Sequence, residues 1–176
     1  PTQIGDEITD QVITPKYPNW MDEVDRGIET LHPVSWKSYT IGDPFGPSKY
    51  AWRLDDEKLM YPFYEKAIKS GINTICIHKG LPFGRRSYEH SQCSDIGVVA
   101  RRYPDVNFLI YHSGFVSTVT EKAYDASGKS DGIDTLITSL YKHQVKPNSN
   151  VYAELGSTWR FLMRDPEQAA HALGKL

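Results

Sequence analysis

Short apolar runs separated by stretches of helical spacing constrain this chain most. Residues 72–78, 106–111 and 150–155 are rich in Ile, Val, Leu and aromatic residues, and a fourth run, 34–39, precedes them. Runs of this kind read as strands buried in a parallel sheet. Between them apolar residues recur every three or four positions, as on one face of a helix. Met21, Val24, Ile28 and Leu31 make the first such stripe, and Leu59, Phe63, Ala67 and Ile68 the second. A third helix is expected around 95–103, a fourth from Ile133, Leu136, Ile137 and Leu140, and a fifth after Asp165-Pro166, where the cap precedes a proline at the first helical position. The order is a helix followed by strand and helix four times. That order specifies a parallel sheet covered by helices, with right-handed crossovers. A doubly wound open sheet and a barrel both satisfy it.

The punctuation agrees with these elements. Asn19 can cap the first helix, and His32-Pro33 ends it because the residue before a proline disfavours helix. Asp55 or Asp56 is expected to cap the second helix, and Gly71 to close it in a left-handed turn. Residues 41–50, with two Gly and two Pro, read as a loop, as do 79–91 and the polar stretch 117–132. With 176 residues the chain suits one domain, 1–176: an irregular segment over 1–18, then about four strand–helix units over 19–176.

A net charge of -2 gives no electrostatic case for nucleic acid. No run reaches the roughly 18 apolar residues of a membrane span, so no membrane partner is expected. Two cysteines, Cys76 and Cys93, make no disulfide framework and point to a reducing compartment, so the expected location is cytoplasmic. No signal peptide is legible, and the sequence begins at Pro1 rather than Met.

Strand side chains alternate between faces. With His78 pointing inward, Thr74 and Cys76 do the same, while Ile75 and Ile77 face the helices. The same reading sets Phe108, Ile110 and His112 inward and Leu109 and Tyr111 outward. Tyr152 and Glu154 face inward on the last strand, and Ser35, Lys37 and Tyr39 on the first. Four strands thus end in Lys37, His78, His112 and Glu154, spaced 41, 34 and 42 residues apart. In a parallel barrel that end carries the active site. Taken singly, a strand-end His is more often structural than a ligand; four polar ends of one parity read as a site. Two His on neighbouring strands suit two ligands of one metal, or one ligand and one proton carrier. No glycine-rich phosphate loop follows any strand, which disfavours an open sheet that binds phosphate.

The run from Trp52-Arg53-Leu54-Asp55-Asp56 to Gly71-Ile72-Asn73-Thr74-Ile75-Cys76-Ile77-His78-Lys79-Gly80 resembles the middle of the amidohydrolase-related metal-dependent hydrolases, in their aminocarboxymuconate-semialdehyde decarboxylase-like branch. Tyr103-Pro104-Asp105-Val106-Asn107-Phe108-Leu109-Ile110-Tyr111-His112-Ser113-Gly114 is similar to that family's next strand, and Val151-Tyr152-Ala153-Glu154-Leu155-Gly156-Ser157 to the one after. The resemblance covers the central and C-terminal part, roughly 22–176. It implies an α/β, TIM-barrel-like (β/α)8 fold, here an incomplete barrel of about four parallel strands, the fourth to the seventh, with flanking helices.

It also implies a function: hydrolysis or decarboxylation of a small carboxylated or cyclic substrate, with metal-activated water and a His proton shuttle. The cofactor is a divalent metal, zinc first, on His78 and His112; a chain with no metal bound is the alternative. His112 and Glu154 are the expected catalytic residues. Lys37 is expected to contact substrate or to support the residues that do, Arg85 and Arg86 to hold a substrate carboxylate unless they are a solvated loop pair, and Trp159 to line the pocket unless it only packs. Trp52 and Phe161 carry the same two readings as Trp159. The family's first-strand His-x-His occurs nowhere in this sequence, and Leu176 falls before the strand that brings a metal-binding Asp. A longer parent is therefore expected to supply both. The competing expectation is a catalytically incomplete piece acting only by association, as a homo-oligomer through open sheet edges.

Overall fold

A computed structural model describes residues 20–41, 51–84 and 88–176. The expected Asn19 cap, the segment 1–18 and most of the loop 41–50 lie outside them, as do Arg85 and Arg86.

Helix α1 (Trp20–Leu31) buries Val24 and packs Trp20, Met21 and Ile28 against the core. It stops at His32, which takes a left-handed φ of 45° before Pro33. Strand β1 (Trp36–Tyr39) follows. Helix α2 (Met60–Ser70) begins later than the acidic residues suggested. Asp56 Oδ1 accepts the N–H groups of Lys58 and Leu59 at 3.0 Å each, which makes a turn ahead of the helix rather than its cap. The buried stripe is accordingly Met60, Phe63, Tyr64 and Ala67, and the expected Ile68 is exposed. Gly71 closes α2 at φ 73°, donating to the carbonyls of Ala67 and Ile68, as its position predicted.

Strand β2 (Thr74–His78) is followed by the short helices α3 (Tyr88–Ser91) and α4 (Ile96–Arg102). Strand β3 (Asn107–Tyr111) ends in a single 3-10 turn, His112–Gly114. Residues 117–132 form no regular element. Helix α5 (Ile133–Lys142), strand β4 (Val151–Glu154), and helices α6 (Gly156–Leu162) and α7 (Pro166–Lys175) complete the described chain. Asp165 caps α7, accepting from Glu167 and Gln168 at 3.1 Å each. Neither α3 nor α6 was expected; each lasts two turns or fewer, too short for a periodic stripe.

The four strands form one parallel sheet in the order β1-β2-β3-β4. Its register sorts the side chains. Trp36 lies beside Ile75, and Ile75 beside Phe108; Ile77 lies beside Ile110. All five sit in the core with residues of α1, α2, α4 and α5. The opposite face carries two rows: Lys37, Cys76, Leu109, Tyr152, and above them Tyr39, His78, Tyr111, Glu154. The expected parity of β3 is therefore corrected. Phe108 and Ile110 face the helices, while Leu109 and Tyr111 share the face of Cys76 and His78. No helix among the described residues is long and apolar enough to cross a membrane.

Candidate functional site

The upper row lies at the C-terminal ends of all four strands, and three of its members are aromatic rings. His78 is 5% exposed, with Tyr39 stacked on it at 5.2 Å between centroids and Phe83 at 5.3 Å. The His112 ring meets it edge-on at 4.7 Å. His112 reaches this face although alternation along β3 would send it to the helix side. It sits just past the strand, in a left-handed turn with φ 68°.

Burial first, then the fields of His112 and Lys37, push the His78 pKa down to about 4. Burial also lowers His112; Glu154 pulls it up and Lys37 pushes it down. Two neutral imidazoles therefore face each other near pH 7. His78 Nε2 and His112 Nδ1 are buried and have no hydrogen-bond partner among the described residues. A buried polar atom left unpaired costs free energy, so two on rings 4.7 Å apart mark a place built for something else.

Lys37 projects from the row below. Its Nζ lies 3.9 Å from the Tyr111 ring centroid and 4.6 Å from that of Tyr39, a cation–π arrangement with no hydrogen-bond acceptor among the described residues. Burial lowers its pKa to about 8, against the opposing fields of Cys76 and Glu154. Glu154 ends β4, and its Oε2 accepts the backbone N–H of His112 at 3.3 Å. Lys37, His78, His112 and Glu154 thus gather on one face, together with Tyr39, Phe83 and Tyr111. Sequence reasoning placed Tyr111 on the wrong face and did not single out Phe83.

The other candidates fall elsewhere. Trp159 is 42% exposed on α6, with no ring contact to the His pair. Trp52 is 4% exposed and belongs to the main core. Phe161 packs on Phe115 at 5.8 Å. Arg85 and Arg86 lie outside the described residues. A cavity of about 270 Å³ between α5 and α7, lined by Tyr124, Ile137, Tyr141 and His171, holds none of the four strand-end residues.

Among the described residues no three His, Cys, Asp or Glu side chains stand together as a metal-binding group. The site offers two imidazole nitrogens, and a catalytic zinc takes about three protein ligands. The described residues do not by themselves complete a zinc centre. What they do provide is one ammonium, one carboxylate and two neutral imidazoles on an aromatic wall. No family model, curated protein or solved structure matches this chain.

Proposed function

We propose that this chain carries part of the active site of a metal-dependent, amidohydrolase-type enzyme on a TIM-like (β/α)8 barrel, hydrolysing or decarboxylating a small carboxylated or cyclic substrate. The observation that carries this reading is the convergence of Lys37, His78, His112 and Glu154 from successive strand ends, with two imidazole nitrogens buried and unpaired. In parallel barrels catalytic residues come from that end of several strands. Lys37 holds a substrate carboxylate, supplying the three donors that have no acceptor among the described residues. His112, neutral near pH 7, takes and returns a proton through its free nitrogen. Arg85, Arg86 and Trp159 belong to the proposal as outer substrate contacts, and a cytoplasmic location goes with it.

A divalent metal, zinc first, is part of the same proposal, with His78 and His112 the ligands this chain contributes. A third protein donor is not among the described residues, so no step is assigned to the metal. The test is calorimetric titration of the full chain with zinc, checked by elemental analysis, alongside NMR of the histidine rings during addition of small carboxylates. Weak zinc binding, lost in His78→Ala, and ring shifts with carboxylates are expected. A wild-type chain that takes up no zinc, cobalt, nickel or manganese and ignores carboxylates overturns the reading.

One observation favours a second reading, an incomplete site that acts by association. The outer edges of β1 and β4 pair with no described strand, and Tyr152 on β4 is 51% exposed. Sedimentation velocity decides: concentration-dependent dimers in a chain that binds neither zinc nor carboxylate support association, and a monomer at every concentration excludes it.

A further inference from the structure

The conformation of His112 needs an explanation that its own strand does not give. Continued in extended form, β3 would turn residue 112 toward the helices, the side of Phe108 and Ile110. Instead His112 and Ser113 both adopt left-handed backbone, with φ 68° and 53°, where L side chains are rarely found. That reversal swings the imidazole onto the open face, 4.7 Å from His78.

Phe115 N–H closes the turn onto the His112 carbonyl at 2.8 Å, and the other two hydrogen bonds to the His112 backbone come from the β4–α6 corner. Glu154 Oε2 accepts its N–H, and Thr158 Oγ1 donates to its carbonyl, each at 3.3 Å. Ser113 Oγ donates to the Glu154 carbonyl at 2.9 Å. Lys79, just past β2, pins the flanks: its N–H donates to the Tyr111 carbonyl at 3.1 Å, and Gly114 N–H to the Lys79 carbonyl at 2.9 Å. Bonds of 3.3 Å lie just beyond the usual range, so little displacement of the carboxylate is needed to break its bond. The residue at 156 avoids that displacement by having no side chain. A Cβ there would lie 2.2 Å from Glu154 Oε1 and 2.9 Å from its Cδ.

We propose that Glu154 is the positioning residue of His112, and that Gly156 is glycine so that the Glu154 carboxylate can reach the His112 amide. Glu154 then acts through the backbone of its neighbour rather than by exchanging a proton with substrate. The inference deepens the functional reading above and rests on it only for the zinc readout.

The experiment compares Glu154→Ala, Glu154→Gln and Gly156→Ala in the full chain, by NMR of histidine-labelled protein and by zinc titration. The NMR readout is the through-space contact between the two imidazoles. Glu154→Ala and Gly156→Ala are expected to lose that contact and to weaken zinc binding about tenfold or more. Glu154→Gln keeps an oxygen acceptor and is expected to stay close to wild type, a rescue that generic destabilisation would not give. Retention of the imidazole contact in a folded Glu154→Ala chain overturns the proposal, as does wild-type behaviour of Gly156→Ala should Glu154→Ala fail to fold. A wild-type chain that binds no zinc sinks the metal reading alone, and the imidazole contact still decides the role of Glu154.

Discussion

His78 and Lys37 each give up a charge that the unfolded chain would carry. The unfolded His78 takes up a proton near 6.5, the folded one only near about 4. Between those values the unfolded state binds more protons, so stability is lost as pH falls through the window. His78→Gln is expected to flatten that limb in urea melts at stepped pH; an unchanged slope removes His78 as its cause. Lys37 works at the other end. The folded side chain releases its proton near about 8 and the unfolded one near 10.5, so stability rises with pH across that interval. Below it the folded state bears the cost of a buried ammonium without an acceptor among the described residues. Lys37→Met is therefore expected to be more stable than wild type at pH 7, with the difference shrinking towards pH 10.5. An equal or lower midpoint at pH 7 counts against this account.

At the scale of elements, two glycines separate backbone strain from packing. Gly71 ends α2 at φ 73° with open space where a Cβ would be. Gly71→Ala meets only the left-handed penalty, about 1–2 kcal/mol. Gly97 lies on α4 against α5, where a Cβ would stand 2.1 Å from the Ser139 carbonyl oxygen. Backbone cannot rotate away as a side chain can, so Gly97→Ala must separate the two helices. Its cost is expected at or above the upper end of the usual overpacking range of about 1–3 kcal/mol. Urea midpoints of the two variants compare them directly, and a milder Gly97→Ala contradicts the close approach. The Gly71 stop was legible in the sequence because it follows a helical stripe. Gly97 was not, because the neighbour that demands it lies 42 residues along the chain. The start of α2 was misread because an Asp can serve a turn as well as a helix cap.

Across the whole molecule, one buried ion pair ties the site to its surroundings. Lys79 and Asp95 are each 1% exposed and meet at 2.9 Å. Lys79 Nζ also donates to the His90 carbonyl at 2.9 Å, and Asp95 Oδ2 accepts the Leu54 N–H at 2.9 Å. The end of β2 is thereby fastened to α3, to the start of α4 and to the chain leading into α2. Lys79→Met leaves the Asp95 charge buried without its partner, which typically costs about 3–5 kcal/mol. Thermal or urea unfolding checks the loss, and a change within 1 kcal/mol or so, the scale of an exposed pair, would mean the charges are solvated. Since Lys79 also brackets the His112 turn through its backbone, the same variant is expected to disturb the His78–His112 contact.

Periodicity and punctuation by themselves determined the four strands, the longer helices, the Gly71 and Asp165 ends, and the polar residues at the strand termini. These are local properties, written in side-chain spacing and in residues with restricted backbone. Tertiary structure alone decided which face each row of β3 presents, because register is fixed by the partner strand. It also decided that His112 turns back onto His78, because that left-handed backbone is held by groups more than 40 residues away on β4 and α6. Spacing along one strand carries no record of a neighbour that forces its last residue to the other face.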